Sequence, residues 1–141
     1  MVDRAKTVDT PQTPKNNSHG MEYGLKVRRE VMGDPFVDKA LSKAEGGPGW
    51  PLQQHVTEHV WGAVWGRDGL DRRSRSIATL SILIALRAHE ELVGHVRGAL
   101  TNGLTQEEIV NLVIHASAYC GAPAAMSAMR VVEGAFSDGS S

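Results

Sequence analysis

Glu91 and His95 stand four residues apart, which puts a carboxylate and an imidazole on one face of a helix, the pairing that general acid–base chemistry uses. Leu92, Val96, Ala99 and Leu100 form the adjoining apolar stripe, with His95 and then Glu91 at its edge. A ring so placed is partly desolvated yet can reach a pocket. The neighbouring carboxylate favours the imidazolium and burial opposes it, so the pair is expected to tune His95 as an acid near neutral pH. The plain alternative is a solvated i,i+4 pair worth about a few tenths of a kcal/mol.

The densest positive charge lies in Leu70-Asp71-Arg72-Arg73-Ser74-Arg75-Ser76, with Asp71 a credible N-cap for the helix that follows. Arginines in a first turn face the positive end of the helix dipole, at a cost of about 0.3–1 kcal/mol each when exposed, and an anion would relieve it. Guanidinium forks suit a carboxylate or phosphate, and Arg72 and Arg75 share a face by their i,i+3 spacing. Arg72, Arg73 and Arg75 are therefore the candidate substrate-binding residues. The alternative is ion pairing with Asp68, Asp71 or carboxylates of a neighbouring subunit.

Other candidates carry less. His55 and His59 form an HxxxH with Glu58 beside the second histidine, nominally an inverzincin order, but the neighbourhood supplies no obvious third ligand and no metal is expected. His115 and Tyr119 share a polar helix edge, where solvation or packing is the plainer reading. Cys120 is the single cysteine; it excludes an intramolecular disulfide and a CxxC pair, and nothing adjacent would lower its pKa. Trp61 and Trp65 recur at helical spacing and read as core or interface anchors. There is no Gly-rich phosphate loop, dinucleotide fingerprint or Ser-His-Asp order.

The elements that must position these residues are helices. The spacing predicts helices over about 22–32, 35–44, 52–66, 72–87, 89–101, 105–118 and 122–136, and no run alternates as a half-buried strand would. An all-α bundle of about six to seven helices follows. Asn102-Gly103 is a stop signal, Thr105-Gln106-Glu107-Glu108 a capping box, and Gly121 with Pro123 divides the last two helices. Residues 77–86, IATLSILIAL, are apolar on nearly every face, so this helix must be covered on all sides. A small bundle has few helices for that task, so the helix is expected either to take a central position in the bundle or to have its burial partly supplied by other subunits, in an obligate homo-oligomer. Residues 1–20, rich in Thr, Pro, Asn, Lys and Ser, read as a disordered arm, 21–136 as the folded domain and 137–141 as a flexible tail.

The chain has 141 residues, with 15 Lys+Arg against 16 Asp+Glu. The near-neutral balance lacks the electrostatic footprint of a nucleic-acid binder, and no apolar stretch is long enough to span a bilayer. No nucleic-acid or membrane partner is expected, and a cytoplasmic location is the default expectation.

Several segments, taken in order, resemble the γ-carboxymuconolactone decarboxylase family over essentially all of residues 22–136. They are Gly24-Leu25-Lys26-Val27-Arg28-Arg29-Glu30-Val31-Met32-Gly33-Asp34, Trp61-Gly62-x-x-Trp65, Gly69-Leu70-Asp71-Arg72-Arg73-Ser74-Arg75-Ser76, Glu90-Glu91-Leu92-x-x-His95, Asn102-Gly103-Leu104-Thr105 and Tyr119-x-Gly121-x-Pro123-Ala124-Ala125. The resemblance implies the helical fold shared with alkylhydroperoxidase D, assembled as a homotrimer or homohexamer. In the related peroxidase branch a CxxCxxxH motif falls on Ala88, Glu91 and His95, so the dithiol is missing here. That argues against a thiol-dependent peroxidase and puts Glu91 and His95 in the family's active-site position.

The implied reaction is decarboxylation of 4-carboxymuconolactone to 3-oxoadipate enol-lactone, in the breakdown of aromatic compounds such as protocatechuate. Cations must hold a dicarboxylate lactone, and a proton donor must quench the dienolate carbon formed when CO2 is lost. Arg72, Arg73 and Arg75 are assigned to the first task and His95, tuned by Glu91, to the second. No metal or organic cofactor is implied, because the lactone is its own electron sink. The competing expectations are another lactone or carbonyl substrate, and a non-catalytic oligomeric scaffold.

Overall fold

A computed structural model describes residues 20–139, so the expected N-terminal arm lies outside the described residues except for Gly20. Helix α1 spans Gly20–Met32, α2 Asp34–Ala44 and α3 Trp50–His55; α3 continues without a break as a π-helical segment over Val56–Trp65. Helices α4 (Arg72–Leu86), α5 (His89–Thr101), α6 (Gln106–Cys120) and α7 (Ala122–Asp138) complete the bundle. No strand occurs among the described residues, as the periodicity predicts. Helix α7 runs two residues past the expected domain end at 136.

Local signals set the boundaries. Asp71 accepts a hydrogen bond from the Ser74 amide at 2.7 Å and caps α4. Thr105 and Glu108 form the expected capping box, each side chain accepting from the other's backbone N–H, at 3.1 and 2.9 Å. Gly103 and Gly121 take positive φ of 99° and 87°, the conformation that ends one helix and redirects the chain into the next.

The π-helical segment is the departure from expectation. One regular helix is predicted over 52–66, whereas ten residues here adopt the wider winding that proteins mostly use in single turns, frequently at functional sites. Its close partner is α1. A Cβ on Gly24 would stand 2.0 Å from the Thr57 carbonyl oxygen, so only glycine lets these two backbones meet.

Two apolar clusters result. The larger joins α4 to α7 through Leu80, Ile84, Leu92, Val96, Ile109, Val113 and Val132. The smaller joins α1, α2 and the π segment through Val27, Val31, Val37, Trp61 and Trp65. Helix α5 is common to both. Its inner residues build the larger cluster, while Gly94 and Gly98 admit Phe36 and Met32, a Cβ at either position falling within 2.5 or 2.9 Å of those side chains.

The chain's own fold does not cover α4 on all sides. Leu80 and Ile84 are 1% exposed, but Ile77, Ile82 and Leu86 are 37%, 57% and 71% exposed. Exposed apolar side chains on this scale, with Ile114, Tyr119 and Met126 also exposed on α6 and α7, are unusual for a surface meant to face water.

Candidate functional site

His95 lies where the two clusters meet. Its position on α5 turns the imidazole toward the smaller cluster, where the ring stacks on Trp61, centroids 6.0 Å apart and planes within 8° of parallel, and on Trp65 at 6.3 Å. The two indoles stack on each other at 5.4 Å. They are buried, so the expectation that they anchor the core holds, but they also form the wall against which the imidazole rests. The i,i+4 spacing of the π segment supplies them: successive indoles on one face meet a ring from the neighbouring helix.

Glu91 sits exposed one turn earlier on α5, and its charge favours protonation of His95. Burial outweighs it. Desolvation of the ring pushes the imidazole pKa down to about 4, Glu91 opposes the shift, and the nearby Arg28 guanidinium adds to it. The ring is therefore neutral at pH 7 in the unliganded protein, in place of the near-neutral acid that the Glu91 spacing suggests.

This has a consequence for stability. The unfolded chain binds a proton at His95 below about pH 6.5, while the folded protein resists until about 4. Stability is therefore full above the upper value and falls as pH drops through the window, by on the order of 3 kcal/mol. In urea unfolding at pH 7.5 and 4.5, a His95→Phe variant, which keeps a stacked ring, is expected to lose less stability on acidification than wild type. An equal loss in both proteins would show that the imidazole is not held neutral.

Arg28 is the residue to which sequence reasoning assigns no role. It is 6% exposed, on the α1 face that also carries Gly24, Val27 and Val31. Nη1 donates to Gln53 Oε1 at 2.9 Å and Thr57 Oγ1 at 3.1 Å, and Cζ lies 5.8 Å from the centre of the Trp61 ring. Burial lowers its pKa from the ordinary value. The signal was present in the sequence as an arginine at an i, i+3, i+4, i+7 apolar position, where a charge needs a reason.

The predicted arginines are all engaged within the chain. Arg72 pairs with Glu30 at 2.6 Å and Arg73 with Glu108, while Arg75 donates to the carbonyls of Leu70 at 3.0 Å and Arg67 at 2.8 Å. Their partners are thus intrachain groups that the ion-pair alternative did not name. Arg72 also borders a cavity of about 490 Å³ that Tyr23, Trp65 and the loop 66–71 complete. Trp65 is common to that cavity and to the stack on His95.

The remaining candidates lie apart from this cluster. His55 and His59 are exposed with rings 4.4 Å apart, and among the described residues no three potential ligands gather for a metal. His115 and Tyr119 are exposed on α6, rings 5.2 Å apart. Cys120 packs part-buried against the larger cluster. Among the described residues no helix is long and apolar enough to cross a membrane.

The chain is similar to proteins of stated activity. It is 44% identical over 117 residues to a nitrosuccinic acid decarboxylase of Metarhizium robertsii, covering 83% of this chain and 81% of the relative. It is 37% identical over 123 residues to a 4-carboxymuconolactone decarboxylase of Acinetobacter baylyi, covering 87% of this chain and 91% of the relative. Residues 51–134, from the second residue of α3 through most of α7, match the carboxymuconolactone decarboxylase family, and with these two relatives they establish that the chain belongs to it.

Proposed function

We propose that this carboxy-lyase removes CO2 from a small dicarboxylic acid whose leaving carboxylate neighbours an electron sink, with 4-carboxymuconolactone as first candidate and 3-oxoadipate enol-lactone as product. The observation that carries this reading is a part-buried imidazole stacked on two indoles, one turn from a carboxylate, in a chain whose relatives are named decarboxylases. Both named acids carry two carboxyl groups and an electron-withdrawing group, a lactone in one and a nitro group in the other.

In this reading the C–CO2 bond breaks, its electron pair passes through the ring double bond into the lactone carbonyl as a dienolate, and a proton adds to the ring carbon next to that carbonyl, leaving the enol-lactone double bond at the carbon that lost CO2. His95 delivers that proton, with Glu91 favouring its charged form. An incoming dianion works in the same direction as Glu91, so the imidazole gains its proton as substrate binds. Arg72 keeps a place in binding because an exposed ion pair such as that with Glu30 is worth only about 0–1 kcal/mol and exchanges readily for a substrate carboxylate. Arg73 is in the same position with Glu108, and Arg75 fixes the loop that leads into α4.

The 44% relative favours nitrosuccinate as the second substrate to try. CO2 release from both acids by the purified protein tests the reading directly; turnover of neither would defeat it.

The same reading covers the exposed apolar side chains of α4 with further copies of the chain, as a homotrimer or homohexamer. Light scattering of the wild-type protein is expected to give a multiple of the chain mass. Ile82→Asp, a charge among the exposed apolar side chains of α4, is expected to shift the mass toward the monomer. A monomeric wild-type protein would overturn the assembly.

A further inference from the structure

The guanidinium of Arg28 has an edge that nothing in the fold uses. Nη1 is spent on Gln53 and Thr57, both neutral partners, and no carboxylate of a described residue pairs with this cation. Nε is buried without a hydrogen-bond partner, and Nη2 donates to no described residue. Nε and Nη2 together are the side of the fork that receives a carboxylate through two parallel hydrogen bonds. A buried charge with only neutral partners is costly to a fold, and removing the charge relieves that cost. The position calls for an occupant of opposite charge.

The surroundings say where that occupant would lie. Arg28 and His95 flank the same indole: Cζ is 5.8 Å and the imidazole centroid 6.0 Å from the centre of Trp61. A carboxylate reaching Nε and Nη2 would share the Trp61 indole with the imidazole proposed to return the proton, within the field of an arginine whose charge already acts on that ring. Arg72, Arg73 and Arg75 must each release an intrachain partner before gripping an anion, whereas Arg28 has none of opposite charge to release.

We propose that Arg28 is the substrate-anchoring cation, taking one carboxylate of a dicarboxylic acid side-on through Nε and Nη2 and so orienting the molecule against Trp61 and His95. The proposal deepens the decarboxylase reading and rests on it for the reaction, though not for the binding of a dicarboxylate.

The test uses succinate as an unreactive probe, followed by tryptophan fluorescence, together with steady-state kinetics on 4-carboxymuconolactone and nitrosuccinate. Arg28→Met is expected to weaken succinate binding by about 100-fold and to raise KM for the turned-over acid by a comparable factor. Its Tm is expected to match or exceed that of wild type. Arg28→Lys, which keeps the charge and loses the fork, is expected to weaken binding about 10-fold.

Wild-type protein that fails to bind succinate, or an Arg28→Met protein that binds it as well as wild type, overturns the proposal whatever the turnover results. A fall in Tm with succinate affinity retained identifies a merely structural arginine and also overturns it. Should Arg28→Met not fold, Arg28→Lys decides the matter, unchanged affinity counting against the anchor. Succinate binding that depends on Arg28, with neither acid turned over, upholds the anchor and removes the proposed reaction.

Discussion

Alanine in place of His95 is expected to lower kcat by about 10²–10⁴-fold, the usual contribution of a positioned proton donor, while the protein stays folded. Truncation leaves a gap beside Trp61 and Trp65 but removes no buried charge, because the ring it deletes is neutral in the unliganded protein. The pH profile makes this sharper. If the acting species is the imidazolium, kcat/KM reports its formation in the free protein and should fall as pH rises above about 4. The kcat profile reports the substrate complex, where dianion and Glu91 both favour the charged ring, so its descending limb should lie at higher pH. Coincident limbs for the two parameters, or full activity in His95→Ala, would remove His95 from the chemistry. Glu91→Gln should move the kcat limb to lower pH without abolishing turnover, since this carboxylate tunes the ring and is not itself the donor in the proposed step.

The second large effect concerns a residue without a side chain. Gly24→Ala would place its Cβ 2.0 Å from the Thr57 carbonyl oxygen and 2.7 Å from the carbonyl carbon. Both are backbone atoms, so no rotamer change relieves the overlap, and α1 must move away from the π segment. Overpacking of this kind costs about 1–3 kcal/mol or more, a loss of roughly 5–15 °C in Tm for a domain of this size. Activity should suffer beyond the stability loss, because α1 carries Arg28 and the π segment carries Thr57 and Trp61. Gly62→Ala is the internal control. Its Cβ would meet its nearest neighbour, the Gly24 Cα, at 3.5 Å, which is ordinary contact, and a small effect is expected. Calorimetry on the two variants checks the contrast, and equal Tm values would show that the Gly24 approach is not tight.

Much of this protein is legible along the chain. The all-helical class, the Asp71 cap, the Thr105 and Glu108 box and the glycine stops at 103 and 121 are set by interactions spanning about four residues, and the sequence displays those partners side by side. The shared face of Glu91 and His95 belongs to the same class, because it depends only on helical pitch.

What tertiary structure alone decided depends on residues far apart in sequence. Arg72 meets Glu30 and Arg73 meets Glu108 across the bundle, so arginines whose spacing suggests a free anion site are already paired. The sign of the His95 shift could not be read from Glu91 because desolvation accumulates over every group packed around the ring, including indoles from the π segment and a guanidinium from α1. The π winding runs over residues 56–65, and α1 lies against it at Thr57. Hydrogen bonds within a turn are local and follow from composition, whereas burial and charge fields belong to the packed molecule, and it is those that distinguish Arg28 and His95 from the chain's other basic residues.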